Sequence, residues 1–142
     1  MNGNTIRLLV ADDHALFREG LQALFSATPG IEIVGEAASG EETVALAEKL
    51  QPDIILMDIS MPGLNGLEAT RRIKELGLRT EVVILSAYGD PGLNEGAQEA
   101  GAYAYLVKGC PVQMIVDVIR YARDFKLSRE QRDVERGART ED

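Results

Sequence analysis

Asp53-Ile54-Ile55-Leu56-Met57-Asp58-Ile59-Ser60-Met61-Pro62-Gly63-Leu64-Asn65-Gly66 is the stretch that decides the fold. Its apolar run between two aspartates reads as a strand buried on both faces, the form strands take inside parallel sheets. Pro62-Gly63 suits a tight turn. Asn65, with Glu68 three residues on, resembles a capping box that opens a helix. Gly66 lets the backbone bend close to Asp58. Strand, turn and helix in this order make part of a β-α-β unit, with a carboxylate at the strand's C-terminal end.

The same unit recurs on both sides. Apolar runs over residues 5–11, 31–37, 53–57, 81–85 and 103–107 predict five strands, and helical stripes lie between them. Phe17, Leu21 and Leu24 mark the first helix, and Thr43, Leu46, Ala47 and Leu50 the second. Ala69, Ile73 and Leu76 mark the third, and Val112, Ile115, Val116 and Ile119 the fifth. Ser39 with Glu42 has the capping-box form, and Asp90 sets a cap before Pro91 at a first helical position. The fourth helix has only a thin stripe of Leu93, Ala97 and Ala100, so it is expected to be loosely held. Regular alternation implies right-handed crossovers and an α/β fold, a parallel sheet with helices on both faces.

The composition narrows the class. A chain of 142 residues with 45% hydrophobic and 27% charged residues fits one globular domain with a real core. Seven aromatics and no Trp make that core aliphatic. The net charge of -8 comes without a Lys/Arg cluster, which argues against direct nucleic-acid binding by this chain. The single Cys110 excludes an intrachain disulfide and fits a reducing compartment. Asp12 interrupts the longest N-terminal apolar stretch, leaving no signal peptide or membrane span, so a cytoplasmic location is expected. From Asp124 the pattern fails. Residues 1–123 are read as the domain, and 124–142 as a fraying extension of the fifth helix or a linker stub. Ser128 and Gln131 could cap a short helix there, running toward Gly137.

The strand ends carry the chemistry. Arg7-Leu8-Leu9-Val10-Ala11 meets Asp12-Asp13, the central run meets Asp58, Val82-Val83-Ile84-Leu85 meets Ser86, and Tyr103-Ala104-Tyr105-Leu106-Val107 meets Lys108. In a parallel sheet these groups gather at the C-terminal edge, where open α/β sheets build their sites. Two like charges ~4 Å apart repel by roughly 4 kcal/mol at an effective dielectric near 20. Clustered Asp12, Asp13 and Asp58 therefore call for a cation or a proton. Carboxylate oxygens suit Mg²⁺, and no His/Cys set suits zinc. Lys108 and Ser86 can meet phosphoryl oxygens, and Asp58 is the best candidate for a nucleophile that forms an aspartyl phosphate. His14 reads as a surface residue at a helix start, and Tyr103 as strand packing.

Taken together, Asp12-Asp13, Met57 through Gly66, Ser86-Ala87 and Tyr105-Leu106-Val107-Lys108 resemble the receiver domain of bacterial two-component response regulators. Asp12-Asp13-His14 and Gly101-Ala102 are most similar to the NarL/FixJ subfamily. The resemblance covers about residues 5 to 123. It implies a flavodoxin-like receiver fold with strand order 2-1-3-4-5. It implies that Asp58 accepts a phosphoryl group from a sensor histidine kinase. It further implies that Asp13 and Asp58 bind Mg²⁺, with Asp12 assisting through water and the Ser60 carbonyl adding a ligand. Ser86 and Lys108 would contact phosphoryl oxygens, and Tyr105 would be the aromatic that turns inward. Signalling through the fourth helix and fifth strand, membership of a transcriptional regulator and pairing of two copies on phosphorylation belong to the same expectation.

Some positions depart from the family pattern. Gly109 follows the lysine where the family often has a proline in cis, and a cis bond without proline costs several kcal/mol. Ser86 replaces the commoner Thr and keeps the hydroxyl. Ser60 and Tyr88 stand where the family tunes aspartyl-phosphate lifetime. Leu127-Ser128-Arg129-Glu130 faintly resembles the start of an output domain, and the tail's composition favours a fragment of a longer regulator over a free-standing receiver. A haloacid-dehalogenase-type phosphohydrolase would need a second Asp where Ser60 stands. A flavodoxin-like flavin carrier would need a phosphate loop where Asp12-Asp13 repel phosphate.

Overall fold

The structure, a computed structural model, describes residues 5–87, 89 and 91–140. Five strands alternate with five helices: β1 Ile6–Ala11, α1 Ala15–Ser26, β2 Ile31–Ala37, α2 Gly40–Leu50, β3 Ile54–Met57, α3 Gly66–Glu75, β4 Glu81–Ser86, α4 Pro91–Ala100, β5 Ala104–Val107 and α5 Val112–Thr140. The strands form one parallel sheet in the order β2-β1-β3-β4-β5. This is the expected order. Among the described residues, no helix is long and apolar enough to cross a membrane.

Strand pleating divides the core into two layers. Leu8, Val10, Ile54, Leu56, Val83 and Leu85 point to one face, where they pack with Leu21 and Phe25 of α1 and Ile115, Val116, Ile119 and Ala122 of α5. Leu9, Ile55, Met57, Val82 and Ile84 point to the other, against Ala47, Ala69, Ile73 and Ala97. β3 and β4 are buried at every position. Each fully buried Ile, Leu or Val contributes about 1.5–3 kcal/mol, so these central strands anchor the sheet.

The helix starts follow the sequence. Ser39 accepts the Glu42 amide at 3.2 Å, while the Glu42 carboxylate takes the Ala38 amide at 2.6 Å. Asn65 accepts the Glu68 amide at 3.0 Å. Tyr88 and Asp90, the latter the expected cap of α4, lie outside the described residues. Two expected core positions come out differently. Leu76 falls at the C-cap of α3 and is 45% exposed, because the helix ends before its stripe completes another turn. Val112, at the first position of α5, is 52% exposed. The described residues contain no cis peptide, so Lys108–Gly109 is trans.

The tail takes the first of its two expected forms, an extension of the fifth helix. Instead of a separate short helix capped by Ser128, α5 runs unbroken past it. Long-range ion pairs hold this extension against the N-terminal edge of the sheet. Lys126 lies 3.3 Å from Asp53, Arg79 pairs with Asp133, and Arg129 stands 2.8 Å from the buried Glu81. The Arg129 contact is an ion pair by distance but lies outside hydrogen-bond geometry, since that Glu81 oxygen has no hydrogen-bond partner. Lys74 meets the other Glu81 oxygen at 3.1 Å. Phe125 packs on Tyr103 with ring centroids 5.3 Å apart. Partners this far apart in the chain are invisible to periodicity, which explains why the apolar pattern ends where the helix does not.

Candidate functional site

Sheet register assembles the site. Ala11 pairs with Met57, so Asp12 and Asp58 leave adjacent strands at one level. The Asp58 amide bonds the Ala11 carbonyl at 2.8 Å, and the Asp12 amide bonds the Ala37 carbonyl at 2.9 Å. Ser86 pairs with Val107, and the Lys108 amide donates to the Ser86 carbonyl at 2.7 Å. Asp12, Asp58, Ser86 and Lys108 are thus fixed through the backbone before their side chains choose rotamers.

The side chains converge. Asp12 and Asp58 are almost fully buried, at 2% and 4% exposure, while Asp13 is open to solvent. Lys108 Nζ lies 2.7 Å from Asp12 Oδ2 and 3.6 Å from Asp58 Oδ2. It also sits 4.3 Å from the centre of the Phe17 ring, a cation–π contact that steadies it. Asp58 Oδ1 receives the Ser60 amide at 3.4 Å, a long bond. Ser86 is buried at the end of β4. Tyr105 is half-buried and lines a cleft of about 80 Å³ together with Asn94, Ala97 and Gln98 of α4.

Burial raises the Asp58 carboxyl above its ordinary range, and the charge of Asp12 adds to that. Lys108 and the Ser60 amide act in the opposite sense. One lysine between two buried carboxylates leaves the cluster short of positive charge. Asp12, Asp13, His14 and Asp58 offer ligand atoms that all lie within 4.8 Å of one another. Three of the four are hard carboxylate donors, a set that fits a divalent cation of the Mg²⁺ kind.

Sequence reasoning misses some of the supports. His14, 68% exposed at its side chain, turns Nδ1 toward Asp12 and Asp13, at 3.1 and 3.2 Å. Its amide also donates to Asp12 Oδ1 at 2.9 Å. Arg18 donates to the Asp12 carbonyl oxygen and pairs with Glu36 at 3.0 Å. Phe17, part of an apolar stripe in the sequence, proves also to hold the site lysine. No local pattern marks these roles. Gly66 is different, because its place near Asp58 is legible in the chain and the structure supplies the reason. A Cβ there would stand 2.1 Å from the Asp58 carbonyl oxygen.

Residues 8–120 match the family model described as the response regulator receiver domain. The chain is 43% identical over 117 residues to the transcriptional regulatory protein LiaR of Bacillus subtilis, an alignment covering 82% of this chain and 56% of that protein. Among solved structures, a LuxR-family two-component response regulator from Aurantimonas superposes with a TM-score of 0.81 at 33% identity, covering 84% of this chain and 86% of that one. A chain of the CheX-CheY-BeF3-Mg complex from Borrelia burgdorferi superposes with a TM-score of 0.75 at 27% identity, covering 80% and 86%. The chain spans about half the length of the curated relatives it matches.

Proposed function

Because the chain belongs to the response regulator receiver domain family, we propose that it is a phosphorylation switch whose acceptor is Asp58. The observation that carries this reading is the placement of Asp58. It is a buried carboxylate beside a second one, with a lysine at 3.6 Å from one of its oxygens. In the transfer, an Asp58 oxygen forms a bond to the phosphorus of a phosphohistidine on a sensor histidine kinase. The P–N bond breaks, and its electron pair returns to the imidazole, which then takes up a proton. Lys108 moves from Asp12 toward the incoming phosphoryl oxygens, and the Ser86 hydroxyl donates to another.

Asp12, Asp13 and Asp58, with the Ser60 carbonyl, would hold Mg²⁺, which supplies neutralisation of charge on the transferring group. The acidic cluster supports this part of the reading, as does the Mg²⁺ of the structurally similar Borrelia complex. Such chemistry makes the protein a switch that catalyses its own phosphorylation and dephosphorylation, not an enzyme acting on a separate metabolite. Beside Lys108 an apolar groove of about 600 Å³ opens between α1 and α5, with Leu16 80% exposed on its rim. Exposed apolar surface of this kind suits a protein partner such as the kinase.

Phosphate drawing on Ser86 would bias α4 and β5, with Tyr105 following into the cleft beneath α4. Residues 1–123 then act as the receiver, and the extension of α5 leads toward an output part of a transcriptional regulator, where two phosphorylated copies pair. The test is direct. Incubation with Mg²⁺ and a small phosphodonor should add one phosphoryl mass to the intact protein, and Asp58→Ala should abolish it. An undiminished adduct in that variant, or none in the parent, refutes the assignment.

A further inference from the structure

We propose that Glu41, in the first turn of α2, is a positioning residue for the phosphoacceptor site. It latches the loop between β3 and α3 in the shape that presents Asp58 and Ser60. The inference rests on the reading of Asp58 as acceptor, but its structural half can be measured without phosphate.

The loop is stitched at both ends. Near Asp58, the Ile59 carbonyl accepts the Met61 amide at 3.1 Å and the Gly66 amide at 2.9 Å. At the far end, Asn65 caps α3. Between these ends, residues 62–64 reach across to α2, where the Leu64 amide donates to Glu41 Oε1 at 3.0 Å. Two glycines are cut to this contact. Gly63 adopts a left-handed φ of 71°, and a Cβ there would stand 2.6 and 2.7 Å from the two Glu41 carboxylate oxygens. Gly40 lets α2 approach so closely that a Cβ on it would lie 1.9 Å from the Leu64 carbonyl oxygen.

The carboxylate of Glu41 therefore occupies space that Gly63 leaves open, and it accepts an amide that the loop turns toward it. The Glu41 carboxyl lies below its ordinary range, chiefly because the Leu64 amide favours the ionised form. Loss of the latch frees residues 62–64 to swing. Displacement of a supporting loop by about an ångström can slow a positioned reaction severely.

Three variants test the inference. Glu41→Ala should take up phosphoryl from a small donor roughly three- to tenfold more slowly and need more Mg²⁺ for half-maximal uptake. Glu41→Gln keeps an acceptor oxygen and should restore most of the rate. A merely stabilising first-turn acid would be lost equally in both variants. Gly63→Ala should reproduce the Glu41→Ala defect, and the two changes combined should be less than additive, because they strike one contact. Independently of phosphate, the Leu64 amide resonance should follow a carboxyl titration in the parent and lose it in Glu41→Ala. Parent-like uptake in Glu41→Ala, or equal defects in the Ala and Gln variants, overturns the proposal. If the parent takes up no phosphoryl group, the acceptor reading fails, and the Leu64 titration alone decides whether the latch exists.

Discussion

At the scale of single residues, Asp58 is held where its charge is unwelcome. Burial and Asp12 raise its carboxyl above the ordinary range. In the unfolded chain the same group ionises at a lower pH. Between the two values the folded protein binds the extra proton, so folding is favoured on the acid side and loses stability as pH rises through the folded value. Above it, the ionised carboxylate is a standing cost. Asp58→Asn should therefore raise stability at neutral pH without divalent cation, by on the order of 1 kcal/mol. That advantage should shrink as pH falls through the raised Asp58 value. Thermal unfolding of both proteins across this range measures it, and a destabilised Asn variant at neutral pH would contradict it. Asp12, Asp13, Asp58, Ser86 and Lys108 can all be named from the sequence, because each closes an apolar run. His14, Phe17, Arg18 and Glu41 cannot be given their supporting roles that way. Their partners come mostly from other elements, and nothing in spacing announces a contact across the fold.

At the scale of elements, α4 and α5 stand at opposite extremes. Only Ala97 and Ala100 of α4 are buried, each a small side chain. Little apolar area resists displacement of that helix, and short-lived openings draw on such weakly packed parts. With the phosphoryl mimic beryllofluoride and Mg²⁺ bound, amide exchange in α4 and β5 should change several-fold, while β1 and β3 remain as before. Equal protection with and without the mimic would rule out the switch through α4. The thin stripe of Leu93, Ala97 and Ala100 marks this helix as weak in the sequence itself. The extension of α5 can be read there as one of two forms, but what holds it cannot. Its core-facing stripe ends at Ala122, and beyond that point charge pairs with Asp53, Glu81 and Arg79 hold it, together with the contact of Phe125 on Tyr103. A helix held by ion pairs shows no amphipathic period for a sequence to display.

At the scale of the whole molecule, the proposed Mg²⁺ site would couple to stability through the cation it holds. A cation that binds the folded cluster and not the unfolded chain stabilises by mass action, about 2.7 kcal/mol at a hundred times its dissociation constant. Millimolar Mg²⁺ should therefore raise the unfolding midpoint of the parent protein and leave that of Asp13→Asn nearly unmoved. An equal rise in both would remove Asp13 from the ligand set. The aspartates at the strand ends, the alternation of apolar runs with helical stripes and the turn after Asp58 were determined by the sequence alone. They are local patterns whose period or position depends on neighbours in the chain. The register that sets Asp12 level with Asp58, the burial that raises Asp58, the lysine shared between two carboxylates and the grip of Glu41 on Leu64 were decided only by tertiary structure. Each is a distance between residues far apart in sequence, and only the packed sheet and its helices bring those residues together.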